Sequence, residues 1–299
     1  MNKLKKYRFS IVIPCYNEAN FIADTLRSLK VQDTLQKYEI IVVDNNCTDE
    51  TVNIAKQYGA KVVAERQAGI CSARQAGTQA AIGEIVISTD ADTTFSPNWL
   101  STIDASFQND KQLVAIGGPC RYIDGPWWGK LYTHFLFTGN YTYSRITGHP
   151  FYITATNIAF IKSAWPGYDP RITQGGDELD LLHKLRKQGK VRFDNANTTY
   201  TSGRRLTNGL IYNIFVSFLF YYLGAYYIDR IFQRTIIGSA PAFRKDSSLK
   251  ISTELRVSLS LVFVSLLAIS MSVAPLRSFM YDNLNDIASV IKDTLRSLS

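Results

Sequence analysis

Apolar positions in this chain come in short, unbroken runs. Residues 9–13 run into Pro14, 40–43 end at Asp44, 61–64 form a weaker run, and 84–89 lead into Asp90-Ala91-Asp92. Between the runs the period changes. Ile22, Leu26 and Leu29 recur at i, i+4 and i+7, which marks one apolar face of a helix. Thr48 and Asp49 form a cap before a second helix reaching about Tyr58, and the small-residue stretch 70–81 predicts a third. Strands apolar at nearly every position, alternating with helices, predict an α/β unit with a mainly parallel central sheet covered on both faces. The carboxyl ends of such strands share one rim, so 14–18, Asp44 and 90–92 are expected to converge there.

Beyond this unit the pattern loosens. Residues 113–118 predict another strand, 127–143 hold seven aromatic residues, and 151–160 form a further extended run. Residues 177–186 are an amphipathic helix that stops near Gly189, with Asp177, Glu178 and Asp180 in its first turn. Acids there complement the helix dipole; a general base also suits such a position beside a loop.

Composition narrows the chemistry. The net charge is +8, and residues 201–299 carry 11 Lys and Arg against 6 acids, so the surplus lies in the last third. No zinc-finger spacing, RNA-binding aromatic signature or basic helix with heptads is present, which sets nucleic acid aside as a partner. Cys15, Cys47, Cys71 and Cys120 have no Cys-x-x-Cys spacing and read as reduced thiols. The glycine-rich dinucleotide and P-loop cradles are absent, so a bound nucleotide needs a metal and side chains to hold its phosphates. Two carboxylates one residue apart at the end of a buried strand suit Mg²⁺ or Mn²⁺, although aspartates also punctuate turns after strands.

Five stretches in order resemble the family 2 glycosyltransferases, inverting enzymes with a GT-A fold. They are Ile-Val-Ile-Pro-Cys-Tyr-Asn-Glu at 11–18, Ile-Val-Val-Asp-Asn-Asn-Cys-Thr-Asp-Glu-Thr at 41–51, and Gly-Ile-Cys-Ser-Ala-Arg-Gln-Ala-Gly at 69–77. Asp90-Ala91-Asp92 and Asp177-Glu178-Leu179-Asp180-Leu181 complete the set. The resemblance implies that Pro14, Tyr16, Glu18 and Asp44 line the base and ribose pocket of a sugar nucleotide, with Arg74 facing the same nucleotide. It also implies that Asp90 meets the ribose or the metal and Asp92 the metal on the diphosphate. The family's usual Glu-Asp pair is Asp177-Glu178 here. Matching by position puts the general base on Glu178, with Asp177 as second choice. Gln75 replaces the Asn common after the family arginine. Thr201-Ser202-Gly203-Arg204-Arg205 resembles a Thr-Ser-x-Arg-Arg stretch of some members. Its two arginines suit a diphosphate or lipid phosphate, or a juxtamembrane anchor.

The expected organisation is a catalytic unit at 1–205, with a donor-binding half at about 8–118 and an acceptor and base half at about 119–205. Interfacial helices and a basic linker follow at 206–256, then a transmembrane helix at 257–276 and a tail helix at 277–299. Residues 210–228 and 257–276 are both free of charge and near spanning length. Eight of the first 19 are Tyr or Phe, which suits an interfacial helix. The basic linker favours a single span at 257–276 with a cytoplasmic catalytic unit. A two-span hairpin and a pair of buried core helices are the alternatives.

The expected function is sugar transfer from a UDP- or GDP-sugar to a lipid-linked or cell-surface glycan. Two other readings stand beside it: a transferase using a polyprenyl phosphate as acceptor, and a catalytically inactive nucleotide-binding scaffold.

Overall fold

A computed structural model of the protein describes residues 7–169, 176–210, 212, 213, 215, 216, 219 and 220. The candidate span at 257–276, the tail at 277–299, the linker after 228 and most of 210–228 lie outside the described residues. Among the described residues, no helix is long and apolar enough to cross a membrane. The chain divides into two units: residues 1–170 with 177–207, and 171–176 with 208–299. In the second, Asn213 Nδ2 donates to Gly209 O at 2.8 Å.

The first unit opens with β1 (Phe9–Cys15), α1 (Ile22–Lys30), β2 (Tyr38–Asp44), α2 (Thr51–Gln57), β3 (Lys61–Ala64), α3 (Ile70–Ala80) and β4 (Ile85–Ser88). It continues with β5 (Thr93–Phe95), α4 (Trp99–Asn109), β6 (Leu113–Gly117), β7 (Cys120–Tyr122), α5 (Trp127–Thr147) and β8 (Ile158–Ile161). After residue 176 come α6 (Asp177–Arg186), β9 (Lys190–Phe193) and β10 (Thr199–Thr201).

Seven strands form the main sheet in the order β3-β2-β1-β4-β8-β6-β9, and β5-β10-β7 form a small second sheet. The main sheet is mainly parallel, as expected, and is made mixed by one strand. β8 lies antiparallel to both neighbours, β4 and β6, while the other four pairs are parallel. The extended run expected at 151–160 contributes only Ile158–Ile161 as strand. The buried faces of β1 and β4 pack with Ile22, Leu26 and Leu29 of α1, all fully buried, and with Trp99, Leu100 and Ile103 of α4. Burial of such side chains stabilises the unit by roughly 1.5–3 kcal/mol each.

Pro14 does not stop β1, which runs on to Cys15. Pairing with β4 ends at Val12↔Ser88, where Thr89 N donates to Val12 O. Two residues further on, Pro14 faces that same open side, where no strand needs its missing N–H. The cap expected at Thr48 and Asp49 falls one residue later, on Glu50, with no side-chain cap bond. Asp49 instead braces the turn before α2, its Oδ1 accepting from Thr51 N at 3.0 Å and from Thr51 Oγ1 at 2.5 Å.

Candidate active site

The rim formed by the carboxyl ends of β1, β2 and β4 gathers the loops singled out in the sequence. Cys15 and Asp44 are register partners at the ends of β1 and β2, and 89–92 follow β4. Cross-ties fix these loops. Asn17, with φ +56°, accepts from Thr48 N at 2.7 Å through Oδ1, and Glu18 N donates to Thr51 Oγ1 at 2.8 Å. Asp44 Oδ1 accepts from Cys47 N at 2.8 Å. Pro14 is buried within β1 and Tyr16 stands exposed beside it, an open aromatic face at the rim.

Asn45 ties the next loop down. Its Nδ2 donates to Glu65 O and Gln67 O at 2.9 and 2.8 Å, and its Oδ1 accepts from Gly69 N at 3.0 Å. That bond sets the start of α3, where Gly69 has φ +146°. Helix α3 then lies so close to the sheet that a Cβ on Gly77 would meet Val12 Cγ1 at 2.3 Å and Val43 Cγ2 at 2.8 Å. One turn before Gly77, and so on the same helical face, stands Arg74.

The Arg74 guanidinium reaches two carboxylates. Nη2 donates to Asp90 Oδ1 at 2.8 Å, and Nη1 donates to Asp177 Oδ2. The arginine and Asp177 side chains are about 95% buried, whereas Asp90 keeps 22% of its side chain exposed. Burial works against the Arg74 charge, and the charges of Asp177 and Asp90 outweigh it. Thus Arg74 ties the first turn of α6, 103 residues further along the chain, to the loop after β4. The neighbouring Glu178 is partly buried. Burial first, and the Asp177 charge second, push its carboxyl well above the usual range. Gln75, the departure from the family Asn, accepts from Tyr168 N at 2.9 Å through Oε1.

A second arginine holds the other aspartate. Arg204 Nη2 donates to both oxygens of Glu18 at 2.8 Å and lies 3.1 Å from Asp92 Oδ2. Its guanidinium carbon sits 4.4 Å above the centre of the Phe21 ring. Asp92 Oδ1 accepts from Thr201 Oγ1 at 3.2 Å, and Asp92 O accepts from Ser202 N at 3.2 Å. Asp124 accepts from Ser202 Oγ and from Gly203 N, which holds the turn that presents Arg204. Burial, then the Asp90 charge, raises the Asp92 carboxyl; burial raises that of Glu18. Arg205 is exposed, and its charge works to lower the carboxyls of Glu18 and Asp92.

The residues that sequence reasoning missed are Thr201, Asn45 and Asn157. Thr201 and Asn45 stood inside quoted motifs, but nothing local marked their bonds to Asp92 and to the 65–69 loop. Asn157 accepts from Trp99 Nε1 at 3.1 Å and donates to Pro119 O and Asn197 O at 3.2 and 2.6 Å. It fixes where the chain enters β7.

A divalent cation fits this donor set in one way. Among the described residues no three His, Cys, Asp or Glu side chains form a metal cluster. Asp90 and Asp92 would therefore supply the protein's oxygens, with diphosphate oxygens and water completing the shell, a common arrangement for Mg²⁺. Arg204 now holds one oxygen of Asp92, so that oxygen is shared with any cation that arrives.

The family model "Glycosyl transferase family 2" matches residues 10–165. An uncharacterized glycosyltransferase of Mycobacterium tuberculosis is 34% identical over 119 residues, 40% of this chain and 51% of that protein. Chondroitin synthase of Escherichia coli is 34% identical over 121 residues, 38% of this chain and 18% of the synthase. The matches thus span about half or less of these relatives' length. Among solved structures, S. aureus TarS 1–349 in complex with UDP-GlcNAc superposes with a TM-score of 0.56 at 16% identity, over 92% of this chain and 76% of that one. Mannosyltransferase PcManGT from Pyrobaculum calidifontis, in complex with GDP-Man and Mn²⁺, gives 0.50 at 15%, over 97% and 88%. At these identities the likeness is one of fold.

Proposed function

The chain belongs to glycosyl transferase family 2, and from that premise we propose that it moves a sugar from a nucleotide-sugar donor to a lipid-linked or cell-surface glycan, with inversion. The observation that carries this reading is the Arg74 bridge, which joins Asp90, on the donor side, to Asp177, next to Glu178. A carboxyl raised by burial and by a neighbouring negative charge holds a proton more tightly than a free one, which suits a general base. Asp177 is already committed to Arg74, so Glu178 is the general base.

In the reaction, an acceptor hydroxyl oxygen attacks the anomeric carbon while the bond from that carbon to the diphosphate oxygen breaks. Glu178 takes the hydroxyl proton, and the nucleoside diphosphate leaves with the bonding electron pair. Tyr16, Glu18 and Asp44 border the base and ribose pocket. Arg204 and Arg205 supply positive charge toward the phosphates or the acceptor. A divalent ion on Asp90 and Asp92, when bound, supplies Lewis-acid neutralisation of the leaving diphosphate.

Membrane association, with the catalytic unit on the cytoplasmic side, is part of the proposal. Support comes from the uncharged stretch 257–276 and from Trp127, Leu131 and Phe135, spaced four apart on α5 and 73%, 46% and 70% exposed. An amphipathic surface of this kind suits a bilayer interface.

A thermal-shift titration with UDP, GDP, CDP and dTDP, each with and without Mn²⁺, tests the reading on wild type and Asp92→Asn. A folded-state ligand at ~100 times its Kd adds roughly 2.7 kcal/mol. Metal-dependent stabilisation by one nucleotide, lost in the variant, is expected. Stabilisation by none would turn the assignment toward the inactive scaffold. Undiminished sugar transfer by Glu178→Gln would instead favour a phosphate acceptor, which needs no base.

A further inference from the structure

A cavity of about 690 Å³ opens between α5 and strands β7 and β10 of the small sheet. Arg121 and Tyr122 of β7, Lys130, His134 and Phe137 of α5, and Tyr200 of β10 contribute to its wall. Among the described residues no Asp or Glu lines it. Among the described residues neither Arg121 nor Lys130 has a carboxylate partner. The two cations therefore add their fields inside one concavity, where low-dielectric walls concentrate positive potential. Tyrosine rings and hydroxyls beside them offer apolar faces together with hydrogen-bonding groups. A volume of this size lies within the range of ligand clefts, about 300–1,000 Å³.

The cavity is joined to the active site by its own floor. Tyr200 precedes Thr201 on β10, and Thr201 donates to Asp92. On β7, Tyr122 is the register partner of Thr201. Strands β7 and β10 therefore carry both the wall of the cavity and a contact to Asp92.

We propose that this groove binds the acceptor, and that the acceptor is an anionic glycan whose phosphodiester or carboxylate groups meet Arg121 and Lys130. The proposal rests on the transferase reading above and names the acceptor class for it. Neutral sugars would contact the tyrosines but leave two cations without counter-charge. An anionic chain satisfies both kinds of group at once.

The test is isothermal titration of the full chain, at low and high salt, with a galacturonic acid hexamer, a glycerol phosphate oligomer, cellohexaose and vesicles containing phosphatidylglycerol. The hexamer and the phosphate oligomer separate the two sources of negative charge. At least one of them is expected to bind, at least tenfold more tightly than cellohexaose, with affinity falling as salt rises. Arg121→Ala/Lys130→Ala is expected to lose at least tenfold of that affinity. Both positions are exposed, and the nucleotide-induced thermal shift measured in parallel reports on folding. Equal binding of cellohexaose, undiminished binding by the double variant, or binding of vesicles alone with loss in that variant would each overturn the proposal. Absence of any nucleotide shift would instead strike the transferase reading, so the two failures are distinguishable.

Discussion

Replacing Arg74 by Met removes the only cation joining Asp90 to Asp177 among the described contacts while keeping much of the side-chain volume. Asp177 is left 5% exposed with its charge uncompensated, and Asp90, at 22%, is partly relieved by water. Breaking a buried ion pair costs about 3–5 kcal/mol, and the partial exposure of Asp90 places this case toward the lower end. For a unit of about 200 residues each kcal/mol lowers Tm by roughly 2–4 °C, so a loss of about 3 kcal/mol corresponds to roughly 6–12 °C. Urea unfolding of wild type, Arg74→Met, Asp177→Asn and the double variant gives the cycle. Asn at 177 removes the stranded charge, so the double variant should recover part of the loss, a coupling of about 0.5–3 kcal/mol. Sugar transfer should fall in Arg74→Met even at temperatures where it is fully folded, because the first turn of α6 is no longer anchored. A loss below about 1 kcal/mol, or strictly additive effects, would refute the reasoning that the bridge holds Glu178 in place.

Three further outcomes follow from the geometry. Glu178→Gln should lower transfer to a hydroxyl acceptor by about 10²–10⁴ while stabilising the fold at neutral pH. Because folding raises this carboxyl, the native state holds the proton more tightly. Wild-type stability therefore falls as pH climbs from the unfolded value, about 4.3, toward the raised folded value, by at most about 1.4 kcal/mol per pH unit from this group. Urea midpoints from pH 4 to 8 that ran parallel in the two proteins would contradict this. Arg204→Gln frees Asp92 Oδ2 and should tighten Mn²⁺ binding to the nucleotide-free protein about tenfold, or about 1.4 kcal/mol; an unchanged Mn²⁺ electron-paramagnetic-resonance titration would show that arginine and cation do not compete. Gly77→Ala forces a methyl group onto Val12 and Val43 and should cost about 1–3 kcal/mol, with partial rescue by Val12→Ala in thermal unfolding.

Much of the fold of the first 90 residues was legible in the sequence because β1, β2 and β4 are buried strands. Near-continuous apolar runs mark β1, β2 and β4, a weaker one marks the edge strand β3, and the polar residues that end the buried runs mark the rim. Helix α5 was not legible, and its burial explains why. The face it packs inward is Gly129, Thr133, Phe137 and Asn140, whereas Trp127, Leu131 and Phe135 face out. Small and polar residues on the buried side defeat a reading based on apolar periodicity. Strands β5, β7 and β10 have three residues each, too few to display a period of two. At the site, Asp90 and Asp92 stood out by their spacing and Glu18, Asp177 and Glu178 through the family resemblance, but the partners of these groups did not stand out. Thr201 lies 109 residues from Asp92, and Arg204 lies 186 from Glu18, so only the folded topology brings them together.

The place of β8 has a consequence for the order in which the molecule is made. In the sheet it fills the slot between β4 and β6, yet it leaves the ribosome after both of them. Until Ile158–Ile161 emerges, the apolar edge of β4 has no partner on that side, and β6 has nothing to join it to the first four strands. An open apolar edge of this kind invites pairing with another nascent chain. Synthesis therefore passes through an interval of about 70 residues, several seconds at roughly 5–20 residues per second, in which the growing protein is at its stickiest. Chains released early, before codon 158, would keep that exposed edge for good.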